Sequence, residues 1–168
     1  MIDEIDQKLI KELQRNGRES YLDLAKMLGV VEGTVRKRVK RLMEQDIVKI
    51  VAMPNVSKLG YSLISVVGLQ CRVEDLRPVA ENLAKNSHVC FLAFVTGRYD
   101  LLAIVMTRSS QELSHLIEKE IWGIPNIVRT ETFITLDIIK GERGILDTAE
   151  LVGSLDTCPP GKKSKKLR

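Results

Sequence analysis

The chain has 168 residues, of which 44% are hydrophobic and 29% charged. This length suits one domain or a small domain beside a larger one, and the composition excludes a mostly disordered chain. No apolar run reaches the ~18 residues that cross a bilayer. The acidic start, with Asp3, Glu4 and Asp6, differs from a secretory signal. We therefore expect a cytoplasmic protein that makes no membrane contact.

Positive charge is concentrated in two parts of the chain. The formal net charge is +4, and residues 161–168 alone hold five basic side chains. Without them the chain carries 21 basic and 22 acidic residues. The second cluster consists of Arg36, Lys37, Arg38, Lys40 and Arg41. Because local basic density on a folded element favours phosphate binding, this cluster indicates a nucleic-acid partner.

Neither a disulfide framework nor a metal site is expected. The three cysteines, Cys71, Cys90 and Cys158, form no C-x-x-C pair, and only His88 and His115 could assist them. Two buried strand thiols and one tail thiol are the simpler interpretation. No catalytic triad, phosphate loop or carboxylate pair stands at a recognisable spacing. We therefore predict a protein that is not an enzyme, with no cofactor and no metal.

Three short helices are predicted at the start of the chain. Apolar residues recur at three- and four-residue intervals from residue 2 to residue 13, as on one face of an amphipathic helix. Ser20, with an acidic residue three positions on, begins a second helix, and Gly29 ends it. A third helix is predicted over residues 31–45. Two helices joined by a tight turn are typical of a helix-turn-helix unit.

The third helix is predicted to read DNA. In this motif the N-terminal residues of the second helix of the turn meet base edges in the major groove. We expect Glu32, Thr34, Arg36 and Lys37 near base edges, with Gly33 permitting close approach. Phosphate contacts are expected from Arg38, Lys40, Arg41, Ser20 and Tyr21. The alternative is a solvated basic face on a purely structural unit.

The rest of the chain predicts an α+β domain. Residues 47–51 resemble a strand that a turn at Pro54-Asn55 would fold into a small wing, and residues 54–61 resemble a linker. Residues 62–140 then alternate as strand, helix, strand, strand, helix, strand. This βαββαβ order predicts a ferredoxin-like antiparallel sheet with both helices on one face. The last strand is predicted over residues 127–140.

The other face of that sheet is expected to be covered by a second copy of the chain. It would expose apolar side chains such as Val66, Phe94 and Ile104. A two-fold homodimer is the simplest arrangement that buries them. Residues 141–168 form an extension whose basic end is predicted to be disordered.

Four segments together resemble the Lrp/AsnC, or feast-famine, family of transcriptional regulators. They are IDEIDQKLIKELQRNGRESYLDLAKMLGVVEGTVRKRVKRL, SKLGYS, VTGRYDLLAIV and IVRTETFITL. The resemblance covers roughly residues 1–140 and implies a winged helix-turn-helix domain at 1–53, followed by a ligand-sensing domain. It also implies homodimers that assemble further, often into octamers, and control by a small molecule such as an amino acid.

The resemblance also implies an effector site. The matching positions are Thr96, Gly97, Tyr99 and Asp100 in one turn, with Thr132 as a second-line candidate. A turn glycine exposes backbone N–H groups to a carboxylate, and an aspartate can hold an ammonium group. The alternative for Asp100 is a turn residue that only satisfies nearby backbone groups.

Three positions depart from the family pattern, and one of them is Gly33, which replaces a small polar residue that is common in the family. Val31 stands where the family has a serine that caps the recognition helix, and a missing cap costs about 1 kcal/mol. Asp46 stands where the family has a glycine, in a position where positive φ is expected.

Two other functions remain open at this point. A DNA-organising protein with little sequence choice would account for the basic tail. A decarboxylase acting on sirohaem shares the architecture, but the second domain offers only His88 and His115 and few arginines to grip the carboxylates of a tetrapyrrole.

Overall fold

A computed structural model describes residues 2–139 and shows two compact units, one formed by Met1–Ala52 and one that begins at Met53. The predicted extension at 141–168, including Cys158, lies outside the described residues. Within residues 2–139, every helix is too short or too polar to cross a membrane.

The first unit consists of three helices whose ends have identifiable caps. Asp3 precedes the first helix, and its carboxylate accepts a hydrogen bond from the Asp6 amide at 2.8 Å, while the Asp6 carboxylate accepts from the Asp3 amide at 3.1 Å. Ser20 caps the second helix, and Gly29, with φ +66°, ends it. These caps confirm the predicted boundaries to within two residues. The helices are α1 (Glu4–Arg15), α2 (Tyr21–Leu28) and α3 (Glu32–Glu44).

A small apolar core holds α3 against the other two helices. Val35, Val39 and Leu42 of α3 are fully or almost fully buried beside Leu9 and Leu24. Their three- and four-residue spacing places one side of α3 inward and leaves the other side to solvent.

Two expectations at the ends of α3 are confirmed, and one is wrong. Val31 precedes the helix without a side-chain cap, and Asp46 has φ +52°. Residues 47–51, however, form no strand in the described part of the chain, so the predicted wing is not present. Their β-branched composition favours an extended chain, but a strand also needs a hydrogen-bonded neighbour. The Ile47 and Val48 amides bond instead to the Leu42 carbonyl.

A buried carboxylate ties α1 to α3. Asp6 is completely buried, and its Oδ1 accepts a hydrogen bond from Arg38 Nη1 at 2.9 Å. Its Oδ2 accepts from Arg41 Nη2, and Arg38 Nη1 also reaches Asp3 Oδ2 at 2.6 Å. A buried carboxylate is costly without such partners, so these contacts fix the rotation of α3 on its scaffold.

The second unit has the predicted ferredoxin-like α+β fold. Its four-stranded antiparallel sheet has the order β2-β3-β1-β4, with Leu63 of β1 opposite Thr107 of β3 and Gly68 opposite Glu131 of β4. The elements are β1 (Leu63–Cys71), α4 (Leu76–Leu83), β2 (Val89–Phe94), β3 (Leu101–Thr107), α5 (Ser110–His115) and β4 (Ile127–Ile134). A π-helical segment, Leu116–Ile121, continues α5.

The last strand is shorter than predicted. It ends at Ile134, with one further hydrogen bond from the Thr135 amide to the Ile64 carbonyl. β1, its pairing partner, begins at Leu63, which the register places opposite Leu136, so residues beyond Leu136 have no strand beside them. The predicted linker is also structured: Val56–Leu59 forms a 3₁₀ turn that packs beside Tyr61, Cys90 and Met106. Cys71 and Cys90 are buried free thiols, as expected.

The sheet has a helix-covered face and an open face. Val66 and Ile104 lie opposite each other on the open face, as predicted, and are half-buried. Phe94 does not join them: it pairs with Leu101, which belongs to the helix-side core, and the Arg77 guanidinium of α4 lies 5.9 Å from its ring. A bulge between Val89 and Phe91 shifts the alternation of β2, so Phe91, opposite Ile104, is the β2 aromatic residue on the open face.

Replacement of Asp6 by asparagine is expected to destabilise the first unit. The change leaves Arg41 without its charged partner and Arg38 with Asp3 alone, which costs about 2–3 kcal/mol. Urea unfolding followed by far-ultraviolet circular dichroism measures this loss. Glu12→Gln breaks an exposed Arg15–Glu12 pair at 3.1 Å and serves as the matched control, with little expected change. Equal effects of the two substitutions would contradict a special role for Asp6.

The same cluster predicts acid sensitivity. Burial raises the pKa of Asp6, but hydrogen bonds from Arg38, the Asp3 backbone and Arg41 outweigh it and hold that pKa below its usual value. The Asp6 amide and Arg38 likewise lower the pKa of Asp3. A carboxyl with a lowered pKa stabilises the fold above its ordinary pKa, and this stability disappears as the pH falls through the lowered value. In the Asp6→Asn variant, the free energy of unfolding should therefore fall less steeply as the pH is lowered.

Candidate DNA-binding helix and effector turn

The solvent side of α3 carries the residues predicted to meet DNA. Gly33, Arg36, Lys37 and Lys40 are exposed, while Glu32 and Thr34 are half-buried in the first turn. Since the apolar residues of α3 face the core, these six form one outward surface, which we call the front of α3. A single helix face of this kind fits the dimensions of the major groove.

Two cations on the front of α3 have partners within the same helix. Arg36 Nη2 lies 2.7 Å from Glu32 Oε1, and the Arg36 guanidinium lies 5.3 Å from the centre of the Tyr21 ring in α2. Lys40 Nζ lies 3.6 Å from Glu44 Oε1. Lys37 makes no ion pair with any residue in the described part of the chain, so its ammonium is available to a phosphate or a base.

The structure gives Arg38 and Arg41 a role that sequence reasoning missed. Both were expected at phosphates, but both bind the Asp6 carboxylate, and Arg38 is only 22% exposed. The hydrogen bonds from Asp3 and Asp6 raise the pKa of Arg38. These two arginines therefore orient α3. The sequence signal was the acidic pair Asp3 and Asp6. It was missed because Asp6 lies 32 positions from Arg38 and 35 positions from Arg41.

The two candidates at the start of α2 are also engaged locally. The Ser20 hydroxyl accepts a hydrogen bond from the Asp23 amide at 3.1 Å and donates one to Asp23 Oδ2 at 2.6 Å. The Tyr21 ring packs partly against the helical core and lies beneath Arg36. Ser20 thus caps the helix, and Tyr21 supports a side chain of the front of α3.

The predicted effector turn connects β2 and β3. Thr96 and Gly97 are exposed, and Gly97 has φ +117°, a conformation that favours glycine. Asp100 is half-buried: its Oδ2 accepts a hydrogen bond from the Cys71 amide at 2.9 Å, and its own amide donates to the Leu69 carbonyl at 2.9 Å. Asp100 therefore anchors the turn to β1, in agreement with the local role considered from the sequence.

Tyr99 lies flat on the open face of the sheet. A Cβ atom at Gly68 would stand 2.8 Å from the Tyr99 ring, so only glycine at position 68 leaves room for it. The Tyr99 hydroxyl donates a hydrogen bond to Glu131 Oε2, and the ring makes an edge-to-face contact with Phe133 at a centroid distance of 6.4 Å. These contacts hold the effector turn against β1 and β4.

Glu131 is the centre of a charged cluster that sequence reasoning missed. Arg98 Nη2 lies 3.0 Å and Arg129 Nη2 lies 2.8 Å from Glu131 Oε1. The charged residues at positions 129 and 131 are two positions apart in a predicted strand, and this spacing indicates that both side chains lie on the same face of the sheet. Thr132 lies on the opposite face, next in sequence to Glu131 and opposite core residue Val67. The structure thus brings Tyr99 and Asp100 together but separates Thr132 from them.

The tyrosine and the carboxylate change each other's proton affinity. The hydrogen bond to Glu131 is the main reason why the pKa of Tyr99 is raised, followed by burial and the negative charge of Glu131. The hydrogen bond from Tyr99 is the main reason why the pKa of Glu131 is lowered. Among the described residues, no group of three or more histidine, cysteine or acidic side chains could hold a metal ion.

Replacement of Glu131 by glutamine should lower the pKa of Tyr99 toward its ordinary value near 10. The amide keeps a hydrogen-bond acceptor but removes the negative charge that opposes phenol ionisation. Absorbance titration of the chain's three tyrosines from neutral to alkaline pH measures the change. Glu120→Gln, which alters a carboxylate bonded to Asn86, is the control and should leave the tyrosine titration unchanged. An unchanged titration in the Glu131 variant would contradict the contact.

Family models match both parts of the chain. Residues 2–43 match the AsnC-type helix-turn-helix domain, and residues 64–145 match the Lrp/AsnC ligand binding domain. An HTH-type transcriptional regulator of Pyrococcus furiosus is 36% identical over 141 residues, which cover 83% of this chain and 95% of that protein. The HTH-type transcriptional regulator FL11 of Pyrococcus abyssi is 32% identical over 140 residues, which cover 83% and 92%.

Solved structures give the same result. AsnC of E. coli is 28% identical with a TM-score of 0.81, covering 86% of this chain and 98% of that chain. The feast or famine regulatory protein of M. tuberculosis, complexed with L-methionine, is 26% identical with a TM-score of 0.76 and the same coverage. The chain therefore belongs to the Lrp/AsnC family of transcriptional regulators, with an N-terminal helix-turn-helix DNA-binding domain and a C-terminal ligand-binding domain.

Proposed function

We propose that the chain regulates transcription by binding specific sites on double-stranded DNA through the front of α3. The observation that carries this proposal is the division of α3 into two sides. Val35, Val39 and Leu42 bind the scaffold, Arg38 and Arg41 are used by Asp6, and the remaining cations face solvent. A rigid helix with a polar front is what major-groove reading requires.

Lys37→Ala is expected to weaken binding to a selected DNA site by about 1–3 kcal/mol if Lys37 meets a base. Lys11→Ala removes the same charge from an exposed position on α1 and is the matched control. Fluorescence anisotropy on a duplex selected from a random pool, and on a scrambled duplex, measures both variants.

Equal weakening by the two substitutions on both duplexes would contradict base reading and favour a DNA-organising protein. Footprinting extends the test to geometry. A regulator protects sites whose half-sites lie about one helical turn apart, whereas an organiser protects DNA uniformly.

We further propose that an amino acid controls this regulator from the turn that joins β2 and β3. Gly97 in this turn has backbone that a carboxylate could approach, and Asp100 has one carboxylate oxygen that is not used by Cys71. Arg98 and Glu131 add both signs of charge beside Tyr99, which suits a zwitterion. The M. tuberculosis relative complexed with L-methionine supports the amino-acid class.

A homodimer formed through the open face of the sheet is part of this proposal. Phe133 is 51% exposed there, Phe91 is 37% exposed, and Val66 and Ile104 lie between them. A contiguous apolar surface of this kind is typical of a protein interface. Assembly of the dimers into an octamer is the larger arrangement that the family resemblance implies.

A thermal-shift screen of the twenty amino acids should find a ligand that raises the melting temperature, because a ligand of the folded state at about 100 times its Kd stabilises by about 2.7 kcal/mol. Asp100→Asn should remove the shift, since asparagine can still accept the Cys71 hydrogen bond but cannot pair with an ammonium group. Asp75→Asn, beside α4, is the control and should retain it. A shift that survives in the Asp100 variant would place the ligand elsewhere.

A further inference from the structure

Three side chains from two helices meet at the front of α3. The Arg36 guanidinium is paired with Glu32 at 2.7 Å and lies 5.3 Å from the centre of the Tyr21 ring. Tyr21 is itself packed partly against the helical core, so the ring is a fixed support. Arg36 is 66% exposed, yet its guanidinium is oriented by both neighbours.

Helix stability explains only a small part of this arrangement. An ion pair between exposed side chains contributes little to folding because water and salt screen it. The pair also lies in the first turns of α3, at the end of the helix that approaches base edges in this motif. An acidic residue at that position brings negative charge close to DNA, which is unfavourable for binding in general.

The two charges respond differently to phosphates and to bases. When Arg36 binds a phosphate, the phosphate competes with Glu32 for the guanidinium, and the Glu32 carboxylate is held beside a polyanion. At a base edge both groups can find partners, because arginine pairs with O6 and N7 of guanine and a carboxylate accepts from N4 of cytosine. The pair therefore lowers the affinity for DNA that is bound only through its phosphates. It does not lower the affinity for a site where a guanine and a cytosine can receive the two charged groups.

We propose that Glu32 is a specificity-determining residue: it holds Arg36 against Tyr21 and lowers the affinity of the front of α3 for DNA that lacks a guanine and a cytosine in reach of the pair. This inference rests on the proposed function, since it requires α3 to bind DNA. Tyr21 acts as a positioning residue, because it orients Arg36 without itself reading a base.

The chain contains a matched control for this idea. Lys40 and Glu44 form a pair with the same four-residue spacing on the same helix, at 3.6 Å, and both side chains are exposed. Their position near the other end of α3 places them away from the base-reading turns. Glu32→Gln and Glu44→Gln therefore remove the same charge from the same helix, and only the first is expected to alter sequence choice.

The experiment measures the affinity of the full chain for two duplexes of equal length and base composition. One is selected by the wild type from a random pool, and the other has the same bases in scrambled order. Glu32→Gln should bind the scrambled duplex more tightly and reduce the ratio of the two affinities by about fivefold or more. Glu44→Gln should strengthen binding to both duplexes by the same factor and leave the ratio unchanged.

The outcomes separate the two proposals. If the wild type prefers the selected duplex and the Glu32 variant keeps the full preference, the role of Glu32 is wrong and the proposed function stands. An equal loss of preference in the Glu44 variant also overturns that role, because charge alone would explain it. If the wild type shows no preference, specific DNA binding itself is wrong. Melting curves of both variants verify that each is folded.

Discussion

The helix-turn-helix unit depends on one buried carboxylate. Asp6 is excluded from water, and it is stable there because two guanidinium groups of α3 and the backbone N–H of Asp3 satisfy its oxygens. Burial alone would favour protonation, but the hydrogen bonds favour the charged form more strongly. Since the partners are Arg38 and Arg41, nearly one helical turn apart, the contact sets both the position of α3 and its rotation about its own axis.

The effector turn is held by a comparable arrangement in the second unit. Asp100 binds the backbone of β1, and Tyr99 covers Gly68 of the same strand and reaches Glu131 of β4. The turn therefore has a polar anchor at Asp100 and an aromatic anchor at Tyr99. The amino acid proposed above would meet both anchors, since its ammonium group pairs with Asp100 and its charges lie beside Glu131.

Periodicity and turn chemistry made most of the fold predictable. The apolar spacing of the helices, the caps at Ser20 and Gly29, and the βαββαβ order all depend on residues close in sequence. The failures share a different cause, because each depends on distant partners. The Asp6 cluster joins residues more than thirty positions apart, and the bulge that moves Phe94 is set by pairing with β3. The wing was predicted from β-branched residues and a turn at Pro54-Asn55, and neither feature supplies a pairing strand.

The count of basic residues on α3 overstates the charge available to DNA. Arg38 and Arg41 are paired with Asp3 and Asp6, Arg36 is paired with Glu32, and Lys40 is paired with Glu44. The salt dependence of binding reports the phosphates that are actually neutralised, so cations consumed inside the fold do not contribute to it. A helix whose charges are largely paired offers few cations to the phosphates of non-cognate DNA. The selectivity of such a helix depends on whether a base pair can take the place of the partners that its charged side chains have within the fold. That replacement depends on the geometry of the side chains and not on the net charge of the helix.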